Sequence, residues 1–340
     1  MLTIAFIGFG NSVIRYHLPY IRHRSHIKIK SVYRRPEDRR DPAERQREKL
    51  YPDYMFTEHL DDILLDKEID CVVINTPDAT HVHYAKLVLN AGKHVLVEKP
   101  FAPTAKEAKE VFDLAKEKGL ICYVNHNRRY DADFLTLKKV LESGKLGDII
   151  EIESHYDYYK PYDSVKNGPR DKGWFIYSLG VHNFDQIVST FGAPQRVVYD
   201  VRSFNADGAE DYFDLQFCYG NMKVSVASSL YVSIDYPRFL VHGTKGSFSK
   251  QSQGHLSAVK AAEPIHASFQ VEDESKWGTL SYFNEQGERI VEKVRSEVTD
   301  YGRLYDDLHD IILHNAPKIV KDEQVLAVLS ILEAAKENLR

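Results

Sequence analysis

The segment Thr3-Ile4-Ala5-Phe6-Ile7-Gly8-Phe9-Gly10-Asn11-Ser12-Val13 sets the architecture of this 340-residue chain. Its first half is a short apolar run that stops at glycine, as a strand buried on both faces of a parallel sheet does. A helical stretch follows directly. Such a turn lets backbone N–H groups approach a pyrophosphate at a helix N-terminus. Val13 stands where the G-x-G-x-x-G pattern has its third glycine, so the loop taken alone is also readable as a turn that holds no ligand. Its place at the head of a strand–helix series favours a dinucleotide site built from Gly8, Phe9, Gly10 and Asn11.

That series continues outward. Ile27 to Tyr33 alternates as a strand, and residues 36–49 are so charged that they form a solvated loop or helix surface. Leu60–Leu65 reads as a short helix, Asp70–Ile74 as a strand, Thr80–Ala91 as a helix and His94–Val97 as a strand. Thr104 caps a helix that runs to about Lys118 and stops at Gly119, before a last strand at Leu120–Val124. Strands alternating with helices imply βαβ units and a doubly wound parallel sheet, which binds ligands beyond the carboxyl ends of its strands. The second half differs. After a helix near Asp131–Ser143, alternating segments appear at Ile149–Tyr159, Arg196–Phe204, Tyr212–Tyr219, Met222–Val232 and Arg238–His242, with Gly220-Asn221 as a hairpin turn. This predicts a largely antiparallel sheet covered on one face, a helix at about Ser178–Phe191, and closing amphipathic helices at 301–314 and 322–338. The expected domains are 1–125, for dinucleotide binding, and 126–340, for substrate binding and oligomerisation.

Composition narrows the function classes. Apolar residues make up 43% and charged residues 28%, a globular balance rather than a disordered or fibrous one. Basic and acidic residues number 45 and 50, so no sequence-independent nucleic-acid binder is implied. The longest apolar run is five residues, and a spanning helix needs about 20, so no membrane partner is expected. Met1-Leu2-Thr3-Ile4 runs straight into a strand-like segment, so no signal peptide is expected. Cys71, Cys122 and Cys218 are sparse, odd in number and set in apolar stretches, as reduced packing residues are. Together these predict a cytoplasmic protein.

Four constellations carry chemistry. Arg34 and Arg35 stand at the end of the second strand, where an NAD site usually places an acidic residue. Guanidinium suits a 2′-phosphate, so NADP(H) is favoured, with NAD(H) as the alternative. Glu98-Lys99-Pro100 ends a strand that faces the cofactor crevice, where a desolvated lysine can serve proton transfer; a solvated surface lysine is the ordinary reading. In Gly180-Val181-His182-Asn183-Phe184-Asp185, His182 and Asp185 are three apart and share a helix face; a core histidine beside an unrelated acid is the ordinary reading there. His81 and His83, two apart, do not face each other on a helix, so no metal is expected. Tyr156, Asp157, Tyr158 and Tyr159 read as an aromatic strand edge rather than a substrate wall.

In combination these residues resemble the Gfo/Idh/MocA family of nicotinamide-dependent oxidoreductases, the glucose–fructose and inositol dehydrogenase group. The matching pieces are the glycine loop, Asn75-Thr76-Pro77 with His81, Glu98-Lys99-Pro100, Asn127-Arg128-Arg129-Tyr130, Gly180-Val181-His182 with Asp185, His242-Gly243-Thr244-Lys245-Gly246 and the paired helices within Tyr301–Leu339. The resemblance spans essentially the whole chain. It implies an N-terminal Rossmann domain, a C-terminal α/β domain with an open, mainly antiparallel mixed sheet, and hydride transfer at a sugar or polyol carbon. By the same resemblance Lys99 and His182 would be catalytic and Asp185 would bind substrate. Thr76, Pro77 and Glu98 would line the nicotinamide ribose, with Asn75, His81 and Arg128 completing the cofactor set.

One departure stands out. Family dehydrogenases commonly carry an aspartate four residues before the histidine, and here that residue is Ser178. A serine cannot supply the charge that raises imidazole basicity, so either Asp185 does so or His182 is only a hydrogen-bond donor. The rival from another class is a non-catalytic NADP(H)-binding sensor of the same fold; within enzymes, the rival is reduction of a small aldehyde or imine. A homodimer or homotetramer is expected, through an open sheet face rich in tyrosine and valine.

Overall fold

A computed structural model describes residues 1–161, 171–251 and 271–340. The chain divides into two compact units. The first takes Met1–Asn127 with Tyr301–Leu326; the second takes the described residues between Arg128 and Asp300, with Ala327–Arg340. The segment 301–326, which the sequence pattern groups with the second domain, makes its contacts in the first unit.

The first unit is built on six strands: β1 (Leu2–Ile7), β2 (Ile27–Tyr33), β3 (Met55–Thr57), β4 (Cys71–Ile74), β5 (His94–Val97) and β6 (Cys122–Val124). Their order is β3-β2-β1-β4-β5-β6 and every pairing is parallel. This is the doubly wound order in which the chain reverses direction beside β1, and the crevice at that reversal is where dinucleotides bind. Ile4, Phe6, Val72, Val73 and Leu96 are wholly buried. A sheet covered on both faces has no solvated side, which is why these strands read as continuous apolar runs. Thr104 Oγ1 accepts from Glu107 N at 3.2 Å, capping the helix Ala105–Glu117 as its sequence predicts. The charged stretch after β2 folds as two short helices, Pro36–Arg40 and Pro42–Lys49.

The second unit holds an eight-stranded sheet: β7 (Ile149–His155), β8 (Arg196–Arg202), β9 (Tyr212–Tyr219), β10 (Met222–Ser229), β11 (Pro237–Gly243), β12 (Gly246–Gln251), β13 (Gly278–Phe283) and β14 (Arg289–Val294). The order is β14-β13-β12-β11-β7-β10-β9-β8, antiparallel except where β7 meets β10. Gly220 closes the β9–β10 hairpin at φ +56°, a backbone state that suits glycine. Phe213, Leu215 and Phe217 alternate inward along β9, where Phe184 of the helix Val181–Phe191 meets Phe213 and Phe217 ring to ring. The opposite face is mixed: it carries Glu151, Glu153, Gln216, Lys223 and Ser225 together with the exposed Val198, Val291 and Phe283.

Candidate active site

The residue that follows each of β1, β4, β5 and β6 in the first unit is held in line by one more rung of the backbone ladder. Gly8 N donates to Tyr33 O, Asn75 N to Ile7 O, Glu98 N to Ile74 O and Asn125 N to Val97 O, at 2.8–3.0 Å. The sheet thereby presents Gly8, Asn75, Glu98 and Asn125 together at its carboxyl edge. Gly8 has φ +94°, and a Cβ there would lie 2.2 Å from Asn75 O, so the turn and the close approach to β4 both require glycine. A Cβ on Gly10 would meet nothing within 4 Å, which leaves its backbone open to a ligand.

A cavity of about 420 Å³ opens at this edge, lined by Gly8, Phe9, Gly10, Arg34, Arg35, Asn75, Thr76 and Pro77. These glycine, strand-end and arginine residues fit a dinucleotide: backbone N–H groups at the loop, and cations where an adenosine phosphate would lie. Arg47, which sequence reasoning misses, also lines the cavity. Its Nη1 reaches Phe9 O at 3.4 Å and its Nη2 reaches Asn11 Oδ1 at 3.3 Å, tying the helix Pro42–Lys49 to the glycine loop.

The structure separates the two arginines. Arg34 is 4% exposed, with its guanidinium against the carboxylates of Glu44 and Glu48. It lines the cavity with its charge already paired, so it braces the wall as well as facing the space beyond the β2 end. Arg35 is 48% exposed and pairs with Asp38 at 2.8 Å. Exposed pairs of that kind contribute only about 0–1 kcal/mol, so a phosphate can displace the aspartate cheaply. His81 is also placed differently from a ligand contact. It is wholly buried, with Nδ1 2.9 Å from Pro100 O and Nε2 2.9 Å from Thr76 O. It staples the loop after β5 to the loop after β4, and so positions Thr76 rather than lining the cavity itself.

Glu98 is the most constrained of the predicted residues. Burial pushes its carboxyl up, but the hydrogen bond and charge of His17, with Lys99 and Asn125, outweigh that and hold it below the usual carboxylate range. Lys99 N donates to Glu98 Oε2 at 3.1 Å, so the catalytic candidate and this anion share one turn of chain.

In the second unit, the π-helical turn Ile176–Gly180 leads into Val181–Phe191, which carries His182 and Asp185. Glu210, another residue missed in the sequence, closes the start of this segment. Its carboxylate accepts from Gly173 N at 2.7 Å and Ile176 N at 3.1 Å. Ser178 Oγ donates to Phe175 O at 3.3 Å within the turn. His182 is 6% exposed. Asp185 is 2% exposed, and its two carboxylate oxygens accept from Arg129, at 2.8 Å from Nε and 2.6 Å from Nη2. A guanidinium is thus a partner of this carboxylate within the unit. Arg128 faces Asp131 and stacks over Tyr156 at 4.6 Å, within the same unit.

Comparison with known proteins agrees with this architecture. Residues 2–126 match the oxidoreductase family NAD-binding Rossmann fold of Gfo/Idh/MocA proteins, and residues 138–340 match that family's C-terminal alpha/beta domain. The chain belongs to the Gfo/Idh/MocA family and is an oxidoreductase with an NAD(P)-binding fold. It is 46% identical to the uncharacterized oxidoreductase YhhX of Escherichia coli, covering 99% of this chain and 96% of that one. It is 30% identical to the scyllo-inositol 2-dehydrogenase (NADP(+)) IolW of Bacillus subtilis, covering 99% and 93%. Among solved structures, an oxidoreductase from Bacillus cereus is 42% identical with a TM-score of 0.91, over 98% of this chain and 95% of that one. No helix among the described residues is long and apolar enough to cross a membrane.

Proposed function

We propose that this protein is an NADP(H)-preferring dehydrogenase–reductase acting at a CH–OH carbon of a sugar or polyol. The observation that carries the proposal is the cavity at the β1, β2 and β4 ends, walled by Arg34 and rimmed by Arg35 where an NAD site would place an acid directly after β2. The named activity of IolW, an NADP(+)-linked inositol dehydrogenase, supports the same class. When bound, the nicotinamide takes up or returns the hydride. Loss of hydride from an alcohol carbon leaves a carbonyl, so the hydroxyl proton needs an acceptor at bonding distance. We assign that proton to Lys99 and His182, one moving it and the other orienting the hydroxyl. Asp185 acts as the group that fixes Arg129 and the helix bearing His182.

The test is a panel of sugars, inositols and other polyols with NADP⁺ and with NAD⁺, read by reduced-nicotinamide absorbance. Turnover with NADP⁺ preferred is expected; tight NADPH binding without turnover of any substrate would replace this reading with that of a sensor. The cofactor assignment has its own check. A hydrogen bond to a charged group contributes about 1.5–3 kcal/mol, so Arg35→Ala should weaken NADP(H) about tenfold or more and leave NAD(H) unchanged. Arg34→Ala should weaken both cofactors together, because it loosens the wall. Equal loss of both cofactors in Arg35→Ala rejects the 2′-phosphate contact. For assembly we propose a homodimer, with a homotetramer as the larger alternative, and light scattering that finds only monomer at micromolar concentration rejects it.

A further inference from the structure

Three side-chain nitrogens converge on one carboxylate oxygen in the first unit. His17 Nε2 lies 2.6 Å from Glu98 Oε1, Asn125 Nδ2 donates to the same atom, and Asn75 Nδ2 reaches it at 3.5 Å. On the other side of the imidazole, Nδ1 lies 2.6 Å from the Tyr305 hydroxyl. His17 is wholly buried and Tyr305 is 1% exposed. The participants come from the π-helical turn Val13–His17, the ends of β4, β5 and β6, and the helix Arg303–His314. They are 81 and 288 residues apart along the chain from His17 to Glu98 and to Tyr305.

A buried polar network is costly unless each member is satisfied, and an apolar contact would close this gap more cheaply. The strand ends need no such tie, since the backbone ladder already holds them. What the network does is specific to one group. Oε1 has no capacity left, while among the described residues Oε2 carries only the Lys99 N–H and keeps a lone pair to offer.

We infer that His17, backed by Tyr305, is a positioning residue that fixes the Glu98 carboxylate as an oriented acceptor, with Oε2 presented to a hydroxyl or amide of the bound cofactor beside Lys99. This rests on the oxidoreductase reading above. The groups that face Glu98 are His17, Lys99, Asn75, Asn125 and, behind the imidazole, Tyr305. Among these, His17 is the first that opposes the burial penalty. Without it, burial dominates and the carboxyl moves up.

The sign of the pH effect follows. A carboxyl held low in the folded state contributes stability that is present above its unfolded value and lost as pH falls through the folded one. In His17→Leu the carboxyl is instead raised, so the variant is most destabilised at neutral pH and the gap to wild type narrows on acidification. The experiment measures Tm from about pH 8 to about pH 5 for wild type, His17→Leu, His17→Gln and Tyr305→Phe, with NADPH affinity by fluorescence over the same range. Expected are a Tm gap that shrinks toward acid, an NADPH affinity that falls toward acid only in the variants, and a kcat/KM at neutral pH lower by about tenfold or more in His17→Leu. His17→Gln, which keeps an N–H for Glu98, should restore much of the wild-type pH dependence. Tyr305→Phe, close to isosteric, should show the same trend more weakly and remains measurable if His17→Leu does not fold. A Tm gap and an affinity ratio that stay constant with pH overturn the inference, because mere packing loss has no proton linkage. Wild-type protein that neither binds NADPH nor turns over overturns the functional reading instead, while the Tm comparison still tests the tie.

Discussion

Lys99→Ala and His182→Ala are each expected to lower kcat on the best substrate by about 10²–10⁴-fold, the range a positioned acid or base supplies. NADP(H) affinity should stay nearly unchanged, because the groups are assigned to the reacting hydroxyl and act in the transition state. Single-turnover measurement with pre-bound cofactor separates the two. The double variant should fall little below the worse single one if both serve the same proton, since residues acting as a unit are not additive. If neither single variant changes turnover, the assignment of the active site is wrong. Ser178→Asp probes the same chemistry from the other side. It returns the carboxylate that family dehydrogenases commonly carry four residues before the histidine, and a basic-limb shift in its pH–rate profile would show that His182 moves a proton.

The second large effect concerns the pair Arg129–Asp185. Both groups are almost fully buried, at 6% and 2% exposure, and meet in a bidentate contact at 2.6 and 2.8 Å. Removing one partner leaves the other charge buried, which costs about 3–5 kcal/mol. Asp185→Asn should therefore lower Tm by roughly 6–20 °C, taking about 2–4 °C per kcal/mol for a unit of this size. Arg129→Met alone should do the same, while the double replacement Arg129→Met with Asp185→Leu should recover a large part of the loss. Calorimetry reads all three. Loss of turnover in Asp185→Asn at unchanged Tm would return Asp185 to direct substrate binding.

These two sites mark where sequence reading succeeds and where it stops. The glycine loop, the strand ends at Ile74 and Val97 and the capped helix after Thr104 are legible because each depends on neighbours a few residues away. Strand β3 is missed because Met55–Thr57 offers three residues and no period. Strand β14 is missed because Arg289–Val294 alternates charged and aliphatic residues with no strongly buried side. At the site the failures have one cause, which is distance along the chain. Arg34 and Arg35 are chemically identical, and only the folding of Glu44 and Glu48 over the first distinguishes a brace from a rim cation. The spacing of His182 and Asp185 shows only their shared helix face, whereas Arg129, a partner of Asp185, sits 56 residues upstream. Nothing near His17 announces its role.

The return of Tyr301–Leu326 to the first unit bears on how the protein is made. Tyr305 closes on His17, Lys318 Nζ donates to Cys122 O at 2.9 Å and Val320 N donates to the Tyr123 hydroxyl at 3.2 Å. During synthesis the first 127 residues leave the ribosome long before these groups exist. The nascent N-terminal unit therefore lacks these contacts, the tyrosine beside His17 among them, until residues 305–320 have been translated. Domains usually fold as they emerge, N-terminal first. Here the first residues to be translated gain the Tyr305, Lys318 and Val320 ties only after the intervening second unit has been made.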